Sequence, residues 1–171
     1  MKTDPLSFET VYNENFSYVY NFLYAHTLHK ELSEDLTSQT FLNALSHFDS
    51  FNAEFSSVRT WLCRIAKNLL IDHYRAHPSG RSVPVDEMPE IPAEDEYEIL
   101  KDPVNREVSR LLSLLTEEEK DMISLRYFME LSVSDIADMY GISLNAASKR
   151  IHRILDKCRG FEEGRSLQDF I

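Results

Sequence analysis

A group of side chains in the first half of the sequence combines an aromatic ring with cations. Its members recur at spacings of three and four residues, which places them on one face of a helix. The group consists of Trp61, Arg64, Asn68, Asp72 and Arg75. Flat rings stack on unpaired bases and arginine contacts the phosphate backbone, so this face suits single strands or opened base steps. The alternative interpretation is a partly buried tryptophan beside a solvated polar face.

A second group lies near the C-terminus, where residues 131–155 have the spacing of a helix-turn-helix. Ala137 is small where two helices would cross, Gly141 permits the positive φ of the turn, and Ile142 fills the corner. The outward positions of the second helix are Asn145, Ser148, Lys149, His152 and Arg153. Short polar groups reach base edges and basic groups hold phosphates. The alternative is an ordinary helical hairpin with a solvated basic face, but the small residue, the glycine and the capping residues favour DNA binding.

The net charge of −11 argues against a nucleic-acid-binding protein until its distribution is considered. Residues 77–103 alone carry a net charge of −6. By contrast, Leu144–Arg159 contains five basic residues against the single acid Asp156. Salt screens distant charges over about 8–10 Å, so this local basic stripe matters more for phosphate binding than the overall sum.

The sequence has no recognisable arrangement for catalysis or metal binding. Its six histidines are scattered, and Cys63 and Cys158 lack the spacing of metal ligands. It also lacks a glycine-rich phosphate-binding loop. We therefore expect a protein that is not an enzyme, with no catalytic residue, metal, cofactor or small-molecule substrate.

The first residues and the two thiols indicate a cytoplasmic location. Residues 1–15 include acidic side chains and no apolar stretch, unlike a signal peptide. Nowhere does an apolar run approach the roughly 18 residues that a membrane-spanning helix needs. We expect no direct membrane insertion, and we expect both cysteines to be reduced.

Apolar periodicity predicts an all-α protein with two small helical domains. In residues 1–76 we predict a long first helix, a second helix capped by Ser33, and a third helix over Arg59–Ala76. The second helix carries the apolar residues Leu36, Phe41, Leu45 and Phe48. In the third helix we expect a buried stripe of Val58, Leu62, Ile65 and Leu69.

Capping signals organise the second predicted domain, residues 104–160. Thr116 with Glu119, and Ser132 with Asp135, have the spacing of capping boxes that begin two helices. Ser143 is the predicted cap of the last helix, whose inward stripe is Ala147, Ile151, Ile154 and Leu155. Between the domains, residues 77–103 are acidic and rich in proline, which predicts a flexible linker. Residues 161–171 form a tail.

Three segments together resemble the extracytoplasmic-function (ECF) sigma factors of the sigma-70 family. Residues 60–75 resemble the promoter-melting helix of that family, and residues 34–42 resemble its polymerase-binding helix. Residues 115–132 and the helix-turn-helix resemble its C-terminal domain. The resemblance covers about residues 8–76 and 105–160, in the order found in the family. It implies a region 2 helical bundle followed by a region 4 helix-turn-helix bundle.

The resemblance implies a transcription initiation factor that directs core RNA polymerase to promoters and helps to melt them. Contact with the clamp helices of the β′ subunit would fall to Asp35, Leu36, Gln39, Thr40 and Phe41. Recognition and melting of the minus-ten element would fall to Phe51, Asn52, Arg59, Trp61, Arg64, Lys67, Asn68 and Arg75. Contact with the minus-thirty-five element would fall to Arg126, Ser143, Asn145, Ser148, Lys149, Arg150, His152 and Arg153.

The resemblance also implies partners beyond the promoter. They include the β flap of the polymerase and an anti-sigma factor that restrains the protein, could hold it at the membrane and releases it in a stress response. The acidic linker would occupy the RNA-exit path of the polymerase, where its carboxylates mimic a nucleic-acid backbone.

One departure from the family pattern affects the recognition helix. Relatives often carry a cation at the position of Ser148, whereas here the cation is Lys149, about 100° further round the helix. Which of the two positions faces phosphate stays open at this point. A rival interpretation is a one-component regulator whose first 76 residues dimerise or sense a signal, and which binds a palindrome without polymerase.

Overall fold

The structure is a computed structural model that describes residues 6–78 and 103–161. Within these ranges the chain forms seven α-helices and one short 3₁₀ turn, with no strand, as the all-α prediction requires. The elements are α1 (Phe8–Thr27), α2 (Lys30–Ser46), the 3₁₀ turn (Phe48–Ser50), α3 (Val58–Ala76), α4 (Pro103–Ser113), α5 (Glu117–Tyr127), α6 (Val133–Tyr140) and α7 (Leu144–Phe161). No helix in the described ranges is long and apolar enough to span a bilayer. Residues 79–102 of the predicted linker and residues 162–171 of the predicted tail lie outside the described residues.

The N-terminal unit is a bundle in which α1, α2 and α3 pack against one another. Each helix contributes apolar side chains that are almost fully buried, and these are Val19, Phe22, Leu23, Leu36, Phe41, Leu62 and Ala66. Burial of such side chains contributes about 1.5–3 kcal/mol each, so this shared core fixes the three helices relative to one another.

The second helix begins earlier than the sequence pattern predicts. Its N-cap is His29 rather than Ser33, and the His29 ring nitrogen Nδ1 accepts a hydrogen bond from the Leu32 amide at 3.2 Å. Ser33 is instead fully buried, where its hydroxyl donates to the His29 carbonyl at 2.7 Å. The reason is the tight connection after α1: Leu28 adopts a left-handed conformation, with φ of 50°, and turns the chain straight into α2.

The buried face of α3 is also rotated from the predicted stripe. Leu62 is buried as predicted, but Val58, Ile65 and Leu69 are only partly buried. The other apolar side chains that α3 buries are Cys63, Ala66 and Leu70. The rotation arises because α3 packs against both α1 and α2, so its buried surface is wider than a single stripe.

The C-terminal unit confirms the predicted capping signals. Both capping boxes form, Thr116 with Glu119 and Ser132 with Asp135, because in each the N-cap and N3 side chains bond to each other's backbone N–H. The Ser143 hydroxyl accepts a hydrogen bond from the Ala146 amide at 3.2 Å at the start of α7. The predicted inward stripe of α7 is buried: Ala147, Ile151, Ile154 and Leu155.

The turn between α6 and α7 depends on Gly141, which has φ of +62°. No other atom lies within 4 Å of the place where a Cβ would stand, so Gly141→Ala adds only backbone strain. We expect this substitution to lower the free energy of unfolding by about 1 kcal/mol, as measured by urea denaturation. Gly160→Ala is the matched control, since Gly160 lies in α7 with open space around it. This control should leave stability unchanged or raise it; destabilisation by both substitutions would contradict the account of the turn.

The two units touch each other directly in this structure. Helix α1 packs against α5. Two ion pairs also join α3 to the C-terminal unit: Arg59 with Glu130 at 3.0 Å and Lys67 with Asp121 at 2.5 Å. A cavity of about 410 Å³ lies along the same junction, with Arg59 and Glu130 in its lining.

Candidate nucleic-acid interface

The structure places the predicted polar and aromatic residues of α3 together on one face. Arg64, Asn68, Asp72 and Arg75 are exposed, and the Arg75 guanidinium lies 3.8 Å from the Asp72 carboxylate. Trp61 is half-buried at the end of this face nearest the preceding loop. The arrangement can stack a base at one end and hold phosphate along the rest of the helix.

Trp61 is positioned by the loop that precedes α3. Its ring centroid lies 4.8 Å from that of Phe51 and 6.4 Å from that of Phe48. The tryptophan therefore packs against the loop while part of its side chain stays exposed.

The loop between the 3₁₀ turn and α3 also carries an aromatic residue that the sequence reasoning did not single out. Phe55 is 85% exposed, the largest exposure of any large apolar side chain in the described residues. Nearby, Asn52 is exposed and its side-chain oxygen accepts a hydrogen bond from the Glu54 amide at 2.9 Å, which shapes the loop. An aromatic ring left in water suits contact with an unstacked base. The only sequence signal was a short polar-aromatic loop over residues 50–57, which contains Phe51 and Phe55.

Two other predicted DNA contacts are occupied by the C-terminal unit. The Arg59 guanidinium lies 3.7 Å over the Tyr18 ring and donates to the Glu130 carboxylate at 3.0 Å. Lys67 donates to Asp121 at 2.5 Å. Both cations lie on α3 as predicted, but in this structure their charges face carboxylates of the other unit.

Asp121 is the centre of a polar cluster between the two units. Its carboxylate accepts hydrogen bonds from Lys67 and from the Tyr140 hydroxyl, and its Oδ1 lies 3.6 Å from His26 Nε2. Burial lowers the pKa of His26 to about 4, although the nearby Asp121 charge opposes this shift. Burial, and then the Asp121 charge, raise the pKa of Tyr140. His26 is therefore neutral at pH 7, and Tyr140 stays protonated, so its hydroxyl can donate to Asp121.

Acid should destabilise the protein through His26. The folded-state pKa of about 4 lies below the ordinary value of 6.5, so the unfolded chain takes up this proton first as the pH falls. The stability contribution is present above pH 6.5 and is lost between about pH 6.5 and pH 4, by about 3 kcal/mol in total. Urea denaturation at pH 7 and pH 5 should show a smaller pH dependence for His26→Gln than for the wild type. His152→Gln, which removes an exposed imidazole, is the control; equal pH dependence in all three proteins would contradict this assignment.

The predicted polymerase-binding residues of α2 divide between surface and core. Asp35 and Gln39 are exposed one helical turn apart, and the Gln39 amide donates to Asp35 at 2.8 Å. By contrast, Leu36, Thr40 and Phe41 are buried. The expectation that all five polymerase-binding residues share one exposed face is therefore corrected for these three residues. They belong to the bundle core because their positions on the helix point toward α1 and α3.

Two leucines extend the exposed face of α2. Leu42 is 62% exposed and Leu45 is 54% exposed. Leu42 follows Asp35 and Gln39 at spacings of seven and three residues, so it shares their side of the helix. We call Asp35, Gln39, Leu42 and Leu45 the α2 face. The signal for it in the sequence was ambiguous, because exposed and buried leucines look alike in a periodic pattern.

The outward surface of α7 matches the predicted recognition face. Asn145, Lys149, His152 and Arg153 are exposed, while Ser148 is half-buried. Ser143 is exposed and serves as the cap of the helix.

Two further basic residues of the predicted set have partners within the C-terminal unit. Arg150 donates to Glu118 at 3.1 Å, and Arg126 donates to the Leu131 carbonyl at 3.1 Å. Among the predicted basic residues of this surface, Lys149 and Arg153 are therefore the exposed cations best placed to contact phosphate.

The described part of the chain has no cluster of three or more histidine, cysteine or acidic side chains that could hold a metal ion. Cys63 and Cys158 are both buried, and neither is in a disulfide. Burial raises the pKa of the Cys63 thiol to about 12, so it stays protonated and unreactive.

Comparison with known proteins gives matches to two family models. Residues 11–78 match Sigma-70 region 2 and residues 111–160 match Sigma-70 region 4. The RNA polymerase sigma factor YlaC of Bacillus subtilis (strain 168) is 30% identical over 151 residues, which cover 86% of this chain and 87% of YlaC. The ECF RNA polymerase sigma factor SigM of the same organism is 27% identical over 143 residues, which cover 81% of this chain and 84% of SigM.

A solved structure has a similar fold. It is that of CnrH in complex with the cytosolic domain of CnrY, which matches with a TM-score of 0.66 and 21% identity over 93% of this chain and 89% of that chain. The matched regions are the two helical units described above, in the same order. This chain therefore belongs to the ECF sigma factors of the sigma-70 family, which are transcription initiation factors that bind core RNA polymerase and promoter DNA.

Proposed function

We propose that each of the three exposed faces of this chain performs one step of transcription initiation. The α2 face binds the clamp helices of the polymerase β′ subunit, the α3 face with its preceding loop opens the minus-ten element, and α7 binds the minus-thirty-five element. The observation that carries the proposal is the exposure of the α3 face and its preceding loop: Phe55 in the loop is exposed, and on α3 Trp61 is half-buried and Arg64 is exposed.

The composition of the α2 face supports its assignment to polymerase. It combines an exposed carboxylate and amide with two leucines that are more than half exposed. Large apolar side chains left in water on one side of a helix are typical of protein interfaces, and polar neighbours give such interfaces their specificity. The buried residues Leu36, Thr40 and Phe41 act beneath the face, by holding α2 in the bundle.

Melting by the α3 face needs no bond chemistry. Unstacking a base costs a few kcal/mol, and capture of that base by aromatic rings offsets the cost. Phe51 and Trp61 already pack against each other, and Phe55 stands exposed in the same loop. Asn52 supplies an exposed polar group in the same loop, and Arg64, Asn68 and Arg75 follow the strand along the helix.

Recognition of duplex DNA is assigned to the exposed residues of α7. Asn145 near the helix start suits a base edge, while Lys149 and Arg153 suit phosphates. Of the two positions, the exposed Lys149 is favoured over the half-buried Ser148 as the phosphate contact. Arg126 and Arg150 contribute once they exchange their internal partners for phosphate, and the C-terminal unit also contacts the β flap.

We further propose that an anti-sigma factor restrains this chain. The solved structure of CnrH contains the cytosolic domain of CnrY. A partner of that kind would cover the exposed apolar groups of the α2 face and of the loop before α3.

A gel shift with and without core polymerase tests the proposed function. The chain carries a net charge of −11 and its basic surface is confined to a few residues, so isolated protein should bind promoter DNA poorly at physiological salt. Addition of core polymerase should produce a specific complex, because two tethered units then engage two elements at once. Tight, sequence-specific binding by the isolated chain would favour the one-component regulator instead.

A further inference from the structure

The first turn of α7 carries an apolar side chain to which the proposed function gives no role. Leu144 is 58% exposed, whereas Phe161 and Leu114, the other exposed large apolar side chains in the described part of the C-terminal unit, are 39% and 38% exposed. Phe161 has a partner, since the Lys157 ammonium lies 6.0 Å from the centre of its ring. Leu144 is therefore the large apolar side chain that the described part of this unit exposes most.

Leu144 stands at the end of α7 that the proposed function directs into the major groove. Helix-turn-helix proteins contact base edges through the N-terminal residues of their second helix. The Ser143 hydroxyl is engaged in capping, because it accepts a hydrogen bond from the Ala146 amide, and the next exposed side chains are Leu144 and Asn145. Cα–Cβ bonds tilt toward the N-terminus of a helix, so the side chain of Leu144 projects past the start of α7.

The polar residues of α7 leave a gap in sequence reading that an apolar contact would fill. Lys149 and Arg153 are exposed and follow Asn145 at spacings of four and eight residues, so the three lie along one side of the helix. Contacts to phosphate fix the register of a protein on duplex DNA but carry no sequence information. Sequence must therefore be read by the side chains at the helix start, which are Asn145 through hydrogen bonds and Leu144 through apolar contact.

The major groove offers one distinctive match for a leucine. Its base edges present hydrogen-bond donors and acceptors, together with the apolar C5-methyl group that marks thymine. We propose that Leu144 contacts the C5-methyl group of a thymine in the minus-thirty-five element and thereby selects thymine at that position. This inference rests on the proposed function of α7, to which it adds a specificity-determining residue.

Replacement of thymine by deoxyuridine tests the contact, because it removes this methyl group and leaves base pairing unchanged. Core polymerase and the full chain would be bound in the cold, before promoter opening, to a fragment from a start site mapped by run-off transcription. Each thymine in either strand of the minus-thirty-five element would be replaced in turn, and affinity would be measured by competition. At one thymine the wild type should lose affinity about fourfold, the factor expected for one buried methyl group.

Leu144→Ala should lose this discrimination and bind the thymine and deoxyuridine duplexes equally. Its helix content by circular dichroism should match the wild type, since the leucine is exposed and alanine favours helices. Leu144→Met keeps an apolar side chain of similar volume and should keep most of the discrimination. Leu114→Ala is the matched control, because it removes an exposed leucine between α4 and α5 and should discriminate as the wild type does.

The outcomes separate the role of Leu144 from the proposed function. Loss of discrimination in Leu144→Ala, with discrimination kept by Leu114→Ala, supports the contact. A minus-thirty-five element without thymine, a wild type indifferent to every methyl group, or loss of discrimination in both variants would overturn it. If Leu144→Ala weakened binding to both duplexes by the same factor, Leu144 would contact a protein partner instead and the assignment would be wrong.

The same binding measurement shows whether the proposed function itself fails. If the wild-type chain gives core polymerase no sequence-specific binding at all, the assignment of α7 to the minus-thirty-five element is wrong. Specific binding that ignores the methyl groups refutes only the role of Leu144.

Discussion

Asp35→Arg should weaken binding of the chain to core RNA polymerase by about a hundredfold, as measured by fluorescence anisotropy. Asp35 is exposed on α2 and stands on the same side of the helix as Leu42, which is 62% exposed. A carboxylate beside an exposed apolar group fits a partner that offers a cation, and arginine would turn that attraction into repulsion. The loss of affinity should appear without loss of the folded state.

The control for this substitution exploits the exposure of Asp35. Its hydrogen bond from Gln39 lies on the surface, so circular dichroism should show wild-type helix content and nearly unchanged thermal stability. Glu9→Arg makes the same change of charge at an exposed position of α1 and should keep wild-type affinity. Unaltered binding by Asp35→Arg, or an equal loss in both variants, would remove polymerase binding from the α2 face.

Arg64→Ala should leave polymerase binding intact and reduce open-complex formation about tenfold, which corresponds to one charge-assisted hydrogen bond to phosphate. Arg64 is exposed on α3, one turn from Trp61 and one turn from Asn68, so its removal should not disturb the core. Permanganate reactivity of unpaired thymines measures opening, and anisotropy with core polymerase measures binding.

Arg159→Ala serves as the comparison for Arg64→Ala. It removes the same charge from an exposed residue at the far end of α7, where Arg159 pairs with Asp156 at 2.7 Å. This variant should open promoters as the wild type does. If Arg64→Ala lost polymerase binding and opening in equal measure, the α3 face would be a structural or polymerase-binding surface rather than a melting surface.

Local signals in the sequence were sufficient for most of the C-terminal unit. Capping at Thr116, Ser132 and Ser143 depends on side chains that bond to backbone three residues away, so these contacts can be predicted from the sequence alone. The turn at Gly141 is equally local, because only glycine adopts its positive φ without strain. The exposed positions of α7, which are Asn145, Lys149, His152 and Arg153, then follow from helical periodicity alone.

The features that escaped prediction depend on contacts between distant parts of the chain. Lys67 and Asp121 are 54 residues apart, and Arg59 and Glu130 are 71 apart, so no periodic pattern links them. The exposure of Leu42 was hidden for a related reason. A leucine in a periodic stripe is buried or exposed according to the helices that pack around it, and the stripe itself does not predict that packing.

The junction of the two units also explains why the overall charge is a poor guide to DNA binding. Carboxylates of the C-terminal unit lie against basic residues of α3, so part of the negative charge acts within the molecule.

Run-off transcription is the most direct test of the central claim, which is that this chain gives promoter specificity to core RNA polymerase. Purified chain would be mixed with core polymerase and a library of genomic fragments, and the 5′ ends of the transcripts would be mapped. We predict discrete start sites that require the chain and share sequence elements near minus-ten and minus-thirty-five. Transcripts no different from those of core polymerase alone would contradict the account.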